Sequence, residues 1–471
     1  MKKKQTLVIF IIIVFFIRCS TNTPIDSSKL NKTIENILDS ANIPAFSIVI
    51  LNKENIVYNN FFGVKDSKSK EPIDSNTVFE AASLTKPMTA YCAMRLVAEG
   101  KLDLDTPLFK YLEYEPIKYD DRSKLITARM VLSHTSGFPN WRRFNKDKKL
   151  DIKFTPGERY SYSGEGFIYL QKVLEELFKK SLGIIFNELV FQPLNMTNSY
   201  MVFSESLNYA IGHDIDENLK GNWKPKEPNA AGSLHTTAKD YSKFLCELIE
   251  PKFLDKSIIN KMMLPQVQTY KDDSTLSYGL GVALQTLNSD TLFWHWGSNP
   301  GFRSFFIVSK NMNKGFIYFT NSDMGLSIVD RMIEVIFNDS SIMSGWNKYP
   351  QYTDPYFILR NTYKNCGIDS LFIKYRNGKV NESEMYDDEY LLNVIGYYAM
   401  ANCDFDDAIA IFTYNAHEYP ESFNVYYSLG EAHLKSNNLE LALENYEKSL
   451  VINPNIENTK KNIKKIKNQL E

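Results

Sequence analysis

Cysteine and histidine are scarce in this chain, five and six among 471 residues. Cys19, Cys92, Cys246, Cys366 and Cys403 are scattered and form no Cys-x-x-Cys pair, which excludes a disulfide framework or a zinc ribbon as the organising device. No His-x-x-x-His pair occurs, so no metal site is expected, and no motif asks for a cofactor. An excess of one charge is also missing. The formal balance is -2, which gives nucleic acid no purchase. Long hydrophobic runs are absent but for Leu7 to Ile17, too short to span a bilayer comfortably. Nor is there a Gly-x-Ser-x-Gly elbow, which argues against an α/β-hydrolase triad.

What the N-terminus does contain is ordered. Lys2-Lys3-Lys4 precedes the apolar run and Cys19-Ser20 follows it, the layout of an export signal over residues 1–19. Cys19 is the lipidation candidate, although Arg18 stands where a small residue is usual. The expectation is an exported protein in the periplasm or cell envelope, meeting the membrane only through an N-terminal lipid.

At this length two or more domains are expected. A helix near Leu30 to Leu38 leads into strands Ala45 to Leu51 and Ile56 to Val64. Helical patterns then dominate from Phe79 to about Leu248. Strands return at Gly281 to Leu287, Thr291 to His295, Phe302 to Val308 and Gly315 to Thr320, and a helix at Arg331 to Phe337 closes the domain. Strands at both ends with helices between them imply an α/β fold of the α+β type: one antiparallel sheet flanked by helices, with a helical region inserted, over residues 26–340. A linker, 341–355, precedes an all-α region, 356–471. There Leu392, Ile395, Gly396, Ala399, Ala408, Phe412 and Pro420 recur 34 residues later as Tyr426, Leu429, Gly430, His433, Ala442, Tyr446 and Pro454. That period is the tetratricopeptide one, with repeats at about 389–422 and 423–456. Two repeats need covering, so a helix from Asp354 to Lys374 and a capping helix over 456–470 are expected. Ile456, Ile463, Ile466 and Leu470 mark the cap's buried face, and its lysines a solvated one.

Ser83-Leu84-Thr85-Lys86 opens an apolar helical run through Val97 that Gly100 stops. A serine and a lysine three residues apart share a helical face, where the amine can take the hydroxyl's proton. The stretch alone also suits a helix cap. A second Ser-x-x-Lys, Ser67 to Lys70, lies in a charged, turn-like segment. Three further segments bear on the choice. Ser133-His134-Thr135-Ser136-Gly137 carries a histidine best read as holding a loop. Tyr162, in Tyr160-Ser161-Tyr162-Ser163, is a tyrosine whose pKa a nearby lysine cation would lower. His295-Trp296-Gly297 places His295 and Gly297 on one strand face, where glycine lets a substrate approach the backbone.

Together these segments, with Ala231-Gly232-Ser233 and Tyr278-Gly279-Leu280-Gly281, resemble the serine beta-lactamase-like superfamily over residues 30 to 340, in its class C beta-lactamase, D-alanyl-D-alanine carboxypeptidase and esterase branch. The resemblance implies Ser83 as the acylated nucleophile, Lys86 as its deprotonating partner, and Tyr162 as a base in acylation and an acid toward the leaving group. It implies an oxyanion hole from the backbone amides of Ser83 and Ser298, and a substrate-binding role for His295, Gly297 and Gly164. Two departures matter. The second motif reads Tyr162-Ser163-Gly164 where an asparagine commonly ends it, and His295 replaces a lysine. Both tilt the expectation toward an esterase-like or D-amino-acid peptidase-like hydrolase of a small molecule or peptide. The alternatives are a beta-lactamase or penicillin-binding carboxypeptidase, and a non-catalytic scaffold whose repeats bind a protein partner.

Overall fold

Ala45–Asn52 is an almost unbroken apolar run, and it becomes a strand buried along nearly its whole length, the pattern of a strand covered on both faces. The computed structural model describes residues 26–287, 290–339, 342 and 349–471; the export signal, Cys19 and much of the 341–355 linker lie outside them. By its contacts the chain divides into two units, one holding residues 43–323 and those up to Asp39, the other 40–42 with 324–471.

Helix α1 (Ser27–Ala41), in the first unit but for its last two residues, precedes β1 (Ala45–Asn52) and β2 (Asn55–Gly63) of that unit. The helical insert contributes α2 (Thr85–Ala98), α3 (Gly164–Phe178) and α4 (Ala238–Ile249), with short helices between them. Six strands follow: β3 (Val267–Tyr270), β4 (Asp273–Tyr278), β5 (Ala283–Leu287), β6 (Asp290–Asn299), β7 (Phe302–Ser309) and β8 (Lys314–Thr320). They form one eight-stranded antiparallel sheet in the order β2-β1-β8-β7-β6-β5-β4-β3. The two ends of the domain meet where β1 pairs with β8, from Phe46↔Thr320 to Asn52↔Lys314. This is the sheet-plus-insert architecture expected from the sequence. Two strands, β3 and β4, were not foreseen: they are short and polar, and β3 alternates between half-buried and exposed positions.

Helix α2 is nearly all core. Met88, Tyr91, Cys92, Met94 and Leu96 have essentially no exposure, and Lys86 is buried among them. Its hydrophobic neighbours include Leu170 and Val173 of α3 and Phe244 of α4. The described cysteines are free; Cys92 is buried and Cys246 half-buried.

The second unit begins with α5 (Val329–Phe337), the helix the sequence assigned to the sheet domain. Then comes α6 (Pro355–Asn381), broken at Gly367, where φ is 78°. Two helical hairpins follow, α7 (Glu389–Ala401) with α8 (Phe405–Glu418), and α9 (Phe423–Lys435) with α10 (Leu439–Ile452); α11 (Glu457–Leu470) caps them. The period is visible in atomic detail. Asn415 Nδ2 donates to the Glu389 carbonyl at 3.0 Å, and Ser449 Oγ, 34 residues on, donates to that of Phe423 at 2.9 Å. A Cβ on Gly396 would lie 2.5 Å from the Phe412 ring, and one on Gly430 3.1 Å from that of Tyr446, so each hairpin closes on an aromatic ring set against a glycine. Ile466 is buried in the cap and Ile463 packs beside it, whereas Leu470 is exposed.

Candidate active site

Ser83 lies in a 3-10 turn, Ala82–Leu84, that runs directly into α2. Ala82 has φ 49°, a left-handed conformation that costs a non-glycine residue about 1–3 kcal/mol and persists only where the surroundings hold it. Here they do. Ala81 N–H donates to Leu234 O at 2.8 Å, Thr85 Oγ1 donates to Ala82 O at 2.7 Å and accepts from Leu234 N–H, and Tyr241 Oη donates to Leu84 O. Ser83 is not the cap of α2: no side chain caps that terminus. Its Oγ lies instead 3.0 Å from Lys86 Nζ, which also donates to Ala231 O at 2.8 Å. Lys86 is fully buried, and desolvation alone lowers its pKa to about 7. A pKa there makes about half such amines neutral at neutral pH and so able to take a proton from the serine. The second Ser-x-x-Lys is a turn in which Asp66 binds Ser69 and the backbone of Lys68, away from any such chemistry.

Tyr162 is held from both sides by one residue. The His134 carbonyl accepts Ser161 N–H at 2.8 Å, and His134 Nδ1 accepts Ser163 N–H at 3.0 Å. The imidazole also packs on the Tyr162 ring, 4.2 Å between centroids. Because Nδ1 accepts, the ring proton sits on Nε2 and is donated to Tyr278 Oη at 3.2 Å. Burial and the Lys86 charge push the His134 pKa well down, so it stays neutral. The loop-holding reading of His134 thus has a concrete form. Lys86 Nζ lies 4.9 Å from the Tyr162 ring centre. Yet burial pushes the Tyr162 pKa up and outweighs the Ser83 hydroxyl that pulls it down, the reverse of the lowering expected from a lysine cation. Its buried hydroxyl is close enough to feel Ser83 without completing a hydrogen bond.

The third segment is the end of β6. Its register with β5 ends at Trp294↔Ala283, and residues 295–299 run past it beside the Ser83 turn. A Cβ on Gly297 would lie 2.3 Å from Ala81 O and 2.2 Å from Ser304 Oγ, the hydroxyl that donates to that same carbonyl at 3.2 Å. The glycine therefore admits the Ser83 turn against the strand. Ser83 and Ser298 then face one cavity of about 600 Å³, walled also by Asn140, Trp141, Arg143, Tyr162, Trp223, Asn229, Trp296 and Asn299.

A beta-lactamase family profile matches residues 30–337. The chain belongs to the beta-lactamase family. It is accordingly a serine hydrolase of the beta-lactamase-like superfamily, and a tetratricopeptide repeat profile matches residues 423–456 of its second unit. It is 24% identical to Protein flp of Staphylococcus aureus strain N315 over 355 residues, 70% of each chain. Its fold is similar to that of an octameric penicillin-binding protein homologue from Pyrococcus abyssi (TM-score 0.58, 21% identity, 72% of this chain and 82% of that one). It is also similar to a D-amino acid amidase from Ochrobactrum anthropi (TM-score 0.55, 23% identity, 65% and 99%).

Within this beta-lactamase-family site, three residues expected to bind substrate stand behind the cavity wall. His295 is fully buried, donates through Nδ1 to the Trp296 carbonyl at 2.8 Å, and has a pKa lowered to about 3 by burial and the Lys86 charge. It is a neutral support rather than a replacement cation. Gly297 is occupied by the Ala81 carbonyl. Gly164 starts α3, gives its N–H to Asn140, and has the Trp141 ring where a side chain would point. Two contributors went unrecognised in the sequence. The Asn140–Arg143 loop carries no motif of its own. Glu80, three residues before Ser83, is buried and accepts from Trp223 N–H at 2.7 Å and Asn299 Nδ2 at 2.6 Å, joining two cavity walls to the Ser83 turn. Its signal was a lone acid in an otherwise apolar stretch. Burial raises its pKa to about 7. Among the described residues no cluster of His, Cys, Asp or Glu is arranged to hold a metal.

Proposed function

We propose that this chain is an exported hydrolase of esters or D-amino-acid peptides that works through an acyl-enzyme on Ser83. The observation that carries this is a buried Lys86 amine, its pKa near 7, at 3.0 Å from Ser83 Oγ. In its neutral form Lys86 takes the hydroxyl proton as Oγ bonds to the substrate carbonyl carbon. The backbone N–H groups of Ser83 and Ser298 stabilise the oxyanion, and the proton returns through Tyr162, which burial keeps protonated, to the leaving group. Water then cleaves the acyl-enzyme by the same route. A beta-lactamase or penicillin-binding carboxypeptidase is the lesser reading, because Gly164 and the neutral, buried His295 leave the usual amide and carboxylate contacts of that branch unfilled. The repeats suit a protein-binding accessory, and Lys2 to Ile17 with Cys19 suits export with a lipid anchor.

A fluorophosphonate probe should label Ser83, located by peptide mass spectrometry. Ser83→Ala should abolish turnover of a short-chain nitrophenyl ester with folding intact, and Tyr162→Phe should lower it about 100-fold. A folded wild-type chain that takes up no label would overturn the proposal.

A further inference from the structure

The cavity beside Ser83 has an uneven lining. Its apolar surface comes from Tyr162 and from Trp141, Trp223 and Trp296, three of the chain's five tryptophans. Its polar surface presents donors. Asn140 gives Oδ1 to Gly164 N–H at 3.0 Å and Asn229 gives Oδ1 to Ala231 N–H at 2.8 Å, so both keep their Nδ2 hydrogens for an occupant. Arg143 is the one charged side chain among the described residues of that wall. It lies over the Trp141 ring at 5.6 Å and the Phe144 ring at 5.1 Å, and no carboxylate among the described residues pairs with it.

The neighbouring arginine shows how it is held. Arg142 grips Glu165 with Nη2 at 2.6 Å, Nε at 2.9 Å and its own backbone N–H at 2.9 Å. Glu165 is buried in the first turn of α3, three residues after Tyr162. That clamp fixes the 140–144 loop to the segment that carries Tyr162, and leaves the next side chain at the cavity. The nearby acid, Glu80, has both oxygens committed behind the wall to Trp223 and Asn299. A substrate ammonium group would therefore find no acid here, whereas a carboxylate would find a guanidinium and two amide donors beside flat aromatic surfaces.

We propose that Arg143 binds the carboxylate of the substrate, and that the substrate carries this negative charge next to an aromatic or similarly flat apolar group. This narrows the hydrolase reading above, on which it rests, away from substrates with a free amine and toward acidic esters or peptides.

The test is binding, read from tryptophan fluorescence of the full chain and independent of turnover. Phenylacetate, phenylacetamide and phenethylamine are matched probes that are anionic, neutral and cationic. Phenylacetate should bind about tenfold more tightly than phenylacetamide, and more tightly still than phenethylamine, with a preference that shrinks as salt rises. Arg143→Gln should erase the preference, Arg143→Lys should retain part of it, and Arg143→Glu should turn it toward phenethylamine. Equal affinities in the wild type, or a preference that survives in Arg143→Gln, would overturn the proposal. Preference for the anion in a chain that never labels at Ser83 would uphold Arg143 and sink the acyl-enzyme instead.

Discussion

If Lys86 is the base, the rate should follow its titration. At its ordinary pKa of 10.5 a lysine amine is neutral in only about one molecule in 3,000 at pH 7. At about 7 half the molecules are neutral. Burial thus raises the competent fraction roughly 1,500-fold at neutral pH. For a neutral nitrophenyl ester, kcat/KM should fall about tenfold per unit below pH 6 and level off above pH 8. The rate of fluorophosphonate labelling should trace the same curve. The site histidines cannot supply this limb, since His134 and His295 are both held neutral far below it. Glu80 could, because its pKa is also about 7. Glu80→Gln separates the two: the limb should stay in place in that variant.

The same titration appears in stability without any substrate. The folded pKa of Lys86 is depressed, so charging it opposes folding. The penalty is absent above pH 10.5, grows as pH falls toward 7, and is constant below that. Its full size is on the order of 5 kcal/mol, from 1.36 kcal/mol per unit. Lys86→Met removes it and gives up two hydrogen bonds, about 0.5–1.5 kcal/mol each. Denaturant unfolding should therefore find the variant inactive but about 2–4 kcal/mol more stable at pH 6, with the gain gone between about pH 8 and 10 and turned into a loss of about 1–3 kcal/mol above that. An acid limb that disappears in Glu80→Gln, or a Lys86→Met difference flat with pH, would refute the assignment of the base.

Other consequences follow from the packing. Gly297→Ala would drive its Cβ into the Ala81 carbonyl; activity should fall at least 100-fold, with a stability loss of about 1–3 kcal/mol by denaturant unfolding. Glu80 has a raised folded pKa, so its contribution to stability is complete below pH 4.5 and is lost as pH rises through 7. Glu80→Gln should leave stability at pH 4.5 near wild type and add up to about 3 kcal/mol at pH 8; a larger gain at pH 4.5 than at pH 8 would contradict the raised pKa. In the repeats, Gly396→Ala should destabilise more than Gly430→Ala, because a Cβ meets its ring at 2.5 Å in the first and 3.1 Å in the second; helix content followed by thermal melts would show the order.

Much of this was legible because it is written in local pattern. Apolar runs as long as Ala45–Leu51 or Phe302–Val308 announce buried strands, and a 34-residue period announces the repeats. Ser83, Lys86 and Tyr162 were legible as neighbours for a related reason: a serine and a lysine three residues apart share one helical turn, and the tyrosine follows in a compact segment. Strands β3 and β4 were not, because β3 has no buried face and β4 declares its own only through Leu276 and Tyr278 at its end. Arg143 was hidden differently. It stands at the cavity next to Arg142, which clamps Glu165 in a pairing across 23 residues that no periodicity signals. The sign of the Tyr162 shift was missed because sequence shows which charges are near and not how dry the site is.

That dryness also ties Arg143 to Lys86. The Lys86 pKa is low because of desolvation alone, with no neighbouring cation to help. Such a base is exposed to whatever charge a substrate brings. A carboxylate left unpaired in the cavity would favour the ammonium form, raise the pKa and withdraw the base at neutral pH. A guanidinium that pairs the carboxylate at the wall cancels most of that field before it reaches Nζ. A single cation fixed to the segment that carries Tyr162 would then do two things for an acidic substrate: hold it, and keep the amine beside Ser83 neutral enough to act. In a neutral substrate neither is needed. The aromatic walls and the desolvated lysine are then sufficient, which is why a plain ester is the right probe of the serine and an anion the right probe of the pocket.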